Sequence, residues 1–193
     1  MTSVRLVLAS ASPLRAELLR AAGLFVEALA AGVDEALDPE ETPDGYVRRV
    51  AQLKAEAVVS RAGGRPVLGV ETVVVVDNQI LDKPKDGEEA RHMLRILSGR
   101  EHQVMSGVCL INPAAPSGRV QTGVSRTKVE FAALTDEEID WYVATGEPVD
   151  HAGAYAIRGL ASRFVKRIEG SCSNAAGLPV ESVYEQCRRA GLL

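Results

Sequence analysis

Residues 66–76, PVLGVETVVVV, decide the fold class. Most positions after Pro66 are apolar and β-branched, the composition of a central strand. Asp77-Asn78 then marks a turn, and Ile80-Leu81 is the expected returning arm of a hairpin. Upstream, Arg5–Ala9 (RLVLA) reads as a short buried strand. Ser12 offers an N-cap and Pro13 a first helical position, opening a helix whose apolar stripe begins at Leu18 and Leu19 and stops at Gly23. A second helix is predicted from Thr42-Pro43 to Gly63-Gly64, with Val47, Val50, Ala57 and Val58 in its stripe. Downstream, Asp86 caps a third helix, with Glu89 completing a box-like cap; Met93, Leu94 and Leu97 form its face, and Gly99 ends it. Val104–Ile111 and Val120–Phe131 read as strands separated by the loop NPAAPSG. Thr135 with Glu138 forms a capping box for a helix through Trp141, Tyr142 and Val143, stopped by Gly146. A strand near Arg163–Ile168 and a last helix from near Pro179 to Gly191 complete the chain. Alternating strands and helices with no repeat and no low-complexity linker predict one α/β domain over residues 1–193.

Composition narrows the function. A chain of 193 residues can bury one sizeable core but not two ordinary domains plus a linker. With 46% apolar and 25% charged residues it is globular in composition, which excludes disordered and coiled-coil readings. No apolar run approaches the ~20 residues of a membrane span, and the N-terminal apolar stretch is too short for a signal peptide. Cys109, Cys172 and Cys187 have no paired spacing, so a reducing, cytoplasmic setting is expected, without disulfides or a zinc knuckle. A net charge of −4 argues against a nucleic-acid partner but not against a small phosphate ligand.

One carboxylate breaks the apolar run of the central strand. Buried unpaired, Glu71 would cost several kcal/mol, so it needs a lysine, a metal ion or a cleft, unless it reaches water at a strand end. Strand ends are where open α/β sheets gather their active sites. Lys54 lies four residues after Val50 and four before Val58, on their helical face. Its ammonium either snorkels to the surface or enters a cleft to meet a phosphate. The stretch LVLASASPLRAELL, residues 6–19, combines a helix N-terminus with the hydroxyls of Ser10 and Ser12 and the cation of Arg15. That makes either a phosphate cradle or a capped helix with a surface arginine. The common glycine-rich nucleotide loops are absent. Pro84 stiffens the chain beside Lys83, which is a fixed cation or part of a solvated loop. Asp34-Glu35 supplies an oxygen ligand for a hard cation or is a surface pair. His92, His102 and His151 lack metal spacing, and Cys109 reads as core.

In chain order, ASASPLRAELL, VDE, AQLKAEAV, GVETVVVVDNQILDKP, MLRILSGREHQVMSGV, AGAYAIRG and GLP resemble the Maf family, from Leu6 to about Pro179. The resemblance implies a mixed-sheet α/β fold of the Maf and ITPase-like kind, with two lobes and a cleft. It implies a cytoplasmic hydrolase of nucleotide metabolism, a pyrophosphatase that converts a pyrimidine or non-standard nucleoside triphosphate (dTTP/UTP or a modified nucleotide) to the monophosphate and pyrophosphate. It implies a divalent metal cation, Mg²⁺ or Mn²⁺, and is compatible with a homodimer; no nucleic acid or membrane partner is expected. By position, Ser10 and Arg15 match the phosphate-binding part of the first motif. Lys54 matches the helix lysine, Lys83 the lysine of the KP step, and Glu35 the acidic position ahead of the second helix. Glu71 stands where the family usually has an aspartate acting as proton acceptor.

Three positions depart from the family pattern. Leu14 replaces an arginine, Glu71 is one methylene longer than aspartate, and Arg158 stands where the dTTP/UTP branch has glutamine. Positions 14, 72 and 158 are those the family associates with base choice, and Thr72 agrees with the dTTP/UTP branch. The expected mechanism uses Ser10, backbone amides and Arg15 to hold phosphates, and Lys54 and Lys83 to neutralise charge. Glu35 and Glu71 hold the metal, and Glu71 activates water for attack at the α-phosphorus. The departures motivate an alternative, a catalytically weakened nucleotide-binding or regulatory module of the same fold.

Overall fold

The computed structural model describes residues 5–38, 40–115 and 120–193; residues 116–118 of the predicted Pro/Gly loop lie outside them. Among the described residues there are seven strands and six helices, and six of those strands and five of those helices follow the alternation read from the sequence. The strands are β1 (Arg5–Leu8), β2 (Phe25–Ala28), β3 (Val67–Val76), β4 (Gln79–Leu81), β5 (Glu101–Ile111), β6 (Val120–Phe131) and β7 (Val165–Glu169). The helices are α1 (Pro13–Ala21), α2 (Pro43–Val59), α3 (Gly87–Leu97), α4 (Asp136–Ala144), α5 (Cys172–Ala175) and α6 (Val180–Arg189). The sheet order is β2-β1-β3-β5-β6-β7, with β4 also on β3. The β1–β2 and β1–β3 pairs are parallel, and the β3–β4 and β6–β7 pairs antiparallel, so the sheet is mixed.

The chain divides into two compact units, and β3, β5 and β6 contribute to both. The first comprises Met1–Glu71, Ser106–Ser125 and Gly177–Leu193. Here the strands are covered on both faces. Leu6, Leu8, Leu68, Val70 and Leu110 pack with Leu19 of α1 and Val183 of α6. Val7, Val67 and Cys109 pack with Ala51, Ala55 and Val58 of α2. A strand sandwiched in this way has no polar face to display, which is why residues 66–70 read as a continuous apolar run.

Two glycines set how closely α2 lies on the sheet. A Cβ at Gly69 of β3 would overlap the Ala51 carbonyl oxygen, and one at Gly107 of β5 would overlap that of Val47. Any larger residue at either position would lift the helix. The second unit, Thr72–Met105 with Arg126–Ala176, gathers Val74, Val104 and Phe131 under Leu94, Leu97, Ile139 and Tyr142 of α3 and α4.

The local signals hold at most termini. Ser12, Thr42, Asp86 and Thr135 each accept a backbone N–H of the following turn, a cap worth about 1 kcal/mol. The capping box of α4 forms in full. That of α3 does not, because the Glu89 carboxylate accepts from Lys85 N–H at 2.7 Å instead of from the cap residue. The second helix ends at Val59, short of the predicted Gly63-Gly64, since residues 60–64 leave the helix as turns. The predicted strand near Arg163 begins at Val165, after a 3₁₀ segment over Leu160–Phe164. Strand β2 and the short helix α5 are elements the sequence reading did not contain. Among the described residues no helix is long and apolar enough to cross a membrane.

Candidate active site

The site begins where β1 stops. The parallel β1–β3 ladder runs only through Val7–Val67 and Leu8–Leu68, and Ala9 N–H makes a last bond to Leu68 O at 2.8 Å. The chain then turns into α1, so β3 runs on past Gly69 without β1 beside it. Val70 and Glu71 occupy this unaccompanied stretch, at the carboxyl end of β1, where α/β sheets open to ligands.

Side-chain alternation decides where Glu71 points. Val70 faces the α1 and α6 layer; Gly69 faces α2, and Glu71, two residues on, shares that face. Lys54 on α2 answers it. The Lys54 ammonium hydrogen-bonds the Glu71 carboxylate and lies 2.8 Å from Glu35 Oε2. Lys54 and Glu71 are 7% and 5% exposed, and Glu35 is open to solvent. Of the partners that Glu71 needed, the structure supplies the lysine, and the lysine does not snorkel alone.

Glu35 sits in a segment with no regular structure, yet α2 fixes its backbone. Tyr46 Oη donates to Glu35 O at 2.9 Å, and Arg49 Nη2 donates to Ala36 O at 3.0 Å. Arg49 also grips the Glu41 carboxylate with Nε and Nη2, at 2.9 and 2.7 Å. That contact holds the Glu41 carboxyl below its ordinary value and raises the guanidinium.

Around the start of α1, hydroxyl, guanidinium and backbone N–H donors gather within a few residues. Ser10, 7% exposed, accepts from Ser12 N–H at 3.2 Å and from Arg15 Nη1 at 3.4 Å. A hydroxyl has two acceptor lone pairs and one proton, so Ser10 is left with its O–H to give. The Ser12 hydroxyl takes the Arg15 N–H at 3.4 Å. The N–H groups of Ala11 and Leu14 have no acceptor among the described residues. Leu14 therefore offers a backbone donor whatever its side chain.

Arg15 is engaged by the protein. Its Nε donates to Gly177 O and its Nη1 to Val70 O, both at 3.0 Å. Burial lowers the guanidinium from its ordinary value, and the charges of Glu71 and Glu35 oppose that change.

The structure thus brings Ser10, Arg15, Glu35, Lys54 and Glu71 together in the first unit. Thr72, Lys83 and Arg158 belong to the second. Thr72 is half-buried, and Lys83 and Arg158 are exposed; the Lys83 ammonium has no partner among the described residues. Sequence reasoning missed Gly69, Gly107, Tyr46 and Gly177. A glycine inside an apolar strand was the one signal that could have announced a close helix.

Two carboxylates meeting on one ammonium are hard oxygen donors. Among the described residues no three His, Cys, Asp or Glu side chains converge on a metal position. That donor set fits Mg²⁺, which commonly takes one or two carboxylates and completes its shell with substrate phosphates and water.

The family model described as Maf-like protein matches residues 5–190. A dTTP/UTP pyrophosphatase of Anaeromyxobacter dehalogenans (strain 2CP-C) is 50% identical over 187 residues, 97% of this chain and 94% of that protein. One of Geotalea uraniireducens (strain Rf4) is 47% identical over 188 residues, 97% and 96% of the two chains. One of Escherichia coli O6:K15:H31 is 46% identical over 186 residues, 96% and 91%. Among solved structures, a nucleoside-triphosphatase / dITP/XTP pyrophosphatase from Mycobacterium abscessus is similar at 18% identity and a TM-score of 0.45, over 97% of this chain and 95% of that one.

Proposed function

The chain belongs to the Maf family, and on that premise we propose that it is a nucleoside triphosphate pyrophosphatase acting on dTTP and UTP. The observation that carries the reading is the buried pair of Glu71 and Lys54, set one residue beyond the point where Arg15 holds the strand. The names of the relatives supply the substrate class, and the donors at the start of α1 suit a phosphate.

The triphosphate lies at the N-terminus of α1. Ser10 donates its hydroxyl proton to a phosphate oxygen, and the amides of Ala11 and Leu14 donate beside it. Lys54, held between two carboxylates, faces the charge that develops on the phosphates. Glu71 takes a proton from the water that attacks the α-phosphorus. The bond from that phosphorus to the bridging oxygen breaks, and pyrophosphate leaves. Glu35 and Glu71 would hold Mg²⁺ or Mn²⁺, which when bound withdraws charge from the phosphate oxygens. The family resemblance adds Lys83 as a second cation for phosphate, and Thr72 and Arg158 as readers of the base. The same reading makes the enzyme cytoplasmic, and a homodimer is compatible with it.

Pyrophosphate release from dTTP, UTP, CTP and GTP, with Mg²⁺ or Mn²⁺ and with excess chelator, tests this reading. The expected result is cation-dependent pyrophosphate release. Orthophosphate as the first product, or full activity in chelator, would contradict it. Calorimetric binding without turnover would point to the weakened module instead. Against that module, the longer side chain of Glu71 still reaches Lys54.

A further inference from the structure

We propose that Arg15 is a positioning residue for Glu71, and not a ligand of the triphosphate. The kinetic part of this inference rests on the pyrophosphatase reading above.

The carbonyl of Leu68 is satisfied by Ala9 N–H, the last contribution of the β1 segment. The next carbonyl on the same edge of β3 is that of Val70, because acceptors on one edge recur every second residue. With β1 gone, a side chain must serve it, and Arg15 Nη1 does so at 3.0 Å. Val70 is fully buried, so its carbonyl has no water to fall back on. The donated bond fixes the peptide joining Val70 to Glu71, and thus the direction in which the Glu71 side chain leaves the strand.

The same guanidinium ties two more pieces to that point. Nε holds Gly177 O at 3.0 Å, and Nη1 also reaches Ser10 Oγ at 3.4 Å. Gly177 has φ +97°, a conformation that glycine adopts freely and side chains resist, so the chain is shaped there to present its carbonyl. The contact to Ser10 turns the hydroxyl so that its proton is directed away from the arginine. Two planar donors matched to carbonyls that diverge are a task for a guanidinium fork, which a lysine cannot reproduce.

Arg15→Lys is the decisive variant, since it keeps the charge and loses the fork. Arg15→Gln is the second, keeping a donor without charge. Hydrogen exchange on the nucleotide-free protein reads the clamp without any catalysis. In both variants, amides of residues 70–73 should exchange about tenfold faster or more, while those of residues 67–69, held by β1, stay unchanged. With dTTP and Mg²⁺, kcat should fall about 10²-fold, the scale of a 1 Å misplacement, with KM and inhibition by inorganic pyrophosphate within about twofold of the parent. A KM or pyrophosphate inhibition constant raised about tenfold with kcat retained would make Arg15 a phosphate ligand and overturn the proposal. Unchanged exchange would overturn it as well. A lower Tm with intact kcat would reduce Arg15 to a structural residue. If the parent releases no pyrophosphate from any nucleotide, the pyrophosphatase reading fails, and the exchange arm still decides the clamp.

Discussion

Two buried polar contacts in this molecule are treated oppositely by the fold. In the first unit, Glu71 and Lys54 are buried as an ion pair, and Glu35 brings a second carboxylate to the same ammonium. In the second unit, His102 and Tyr155 are 2% and 5% exposed and share a hydrogen bond at 2.8 Å. Phe131 and Tyr155 pack edge-on around the imidazole, with ring centroids 5.0 and 5.4 Å away. Burial pushes the imidazole down to about 4 and the phenol upward, so both are neutral at pH 7. His102 Nδ1 has no partner among the described residues. Charge is kept where opposite charges converge. Where no opposite charge is near, the buried groups are neutral. The neutral pair joins two of the stretches that carry the family resemblance, SGREHQVMSGV and AGAYAIRG, and holds the chain ahead of Arg158.

The sharpest way to break this contrast is Glu71→Gln, which removes charge at nearly constant size. Turnover should fall roughly 10²–10⁴-fold, the range of a lost general base, with the fold retained. Steady-state pyrophosphate release and a thermal melt check both halves; retained turnover would make Glu71 structural.

The neutral pair is tested by pH. The folded His102 value lies below the ordinary 6.5, so the unfolded chain binds the extra proton first as pH falls. Stability is therefore full above about 6.5, declines between about 6.5 and 4, and loses about 3 kcal/mol over that window. Denaturant melts at pH 7 and pH 4.5 should show the decline, and His102→Gln should flatten it. An equal slope in both proteins would remove His102 as its cause.

Lysine substitutions separate the two environments further. Lys54→Ala should lower kcat/KM by about 10–100-fold, equivalent to losing a charge-assisted bond of about 1.5–3 kcal/mol. It should also lower Tm, because it leaves Glu71 buried without its partner. Lys83→Ala should weaken turnover with Tm unchanged, since Lys83 is exposed and unpaired among the described residues. Steady-state kinetics alongside melts would expose the reverse pattern.

How legible these regions were depends on the range of the forces involved. A carboxylate in an apolar strand and a lysine on an apolar helical face conflict with local pattern, so Glu71 and Lys54 could be read directly. Capping is local too, and Ser12, Asp86 and Thr135 cap as expected. Strand β2 could not be read: it has four residues, two of its side chains beyond Phe25 are exposed, and pairing with β1 alone defines it. The close approach of α2 at Gly69 and Gly107 was hidden, because a glycine does not say which backbone comes near. Arg15 was visible as a cation, but its acceptors were not. They are carbonyls made available by the place where one strand stops beside another.

The smallest expected effect concerns the base. A uracil or thymine edge presents a ring N–H between two carbonyls; arginine offers only donors, whereas glutamine can also accept. Preference for dTTP and UTP should therefore be weaker than in relatives with glutamine at this position. Leu14→Arg with Arg158→Gln should shift selectivity toward both nucleotides, by about 1–3 kcal/mol at most. Comparing kcat/KM across dTTP, UTP, CTP and GTP decides it, and an unmoved ranking would free both residues of that role.

The central claim is that water, deprotonated by Glu71, attacks the α-phosphorus. Hydrolysis of dTTP in ¹⁸O-labelled water, followed by mass analysis of both products, reads that step directly. The account predicts label in the monophosphate and none in the pyrophosphate. Label in the pyrophosphate would place the attack at the β-phosphorus and contradict it.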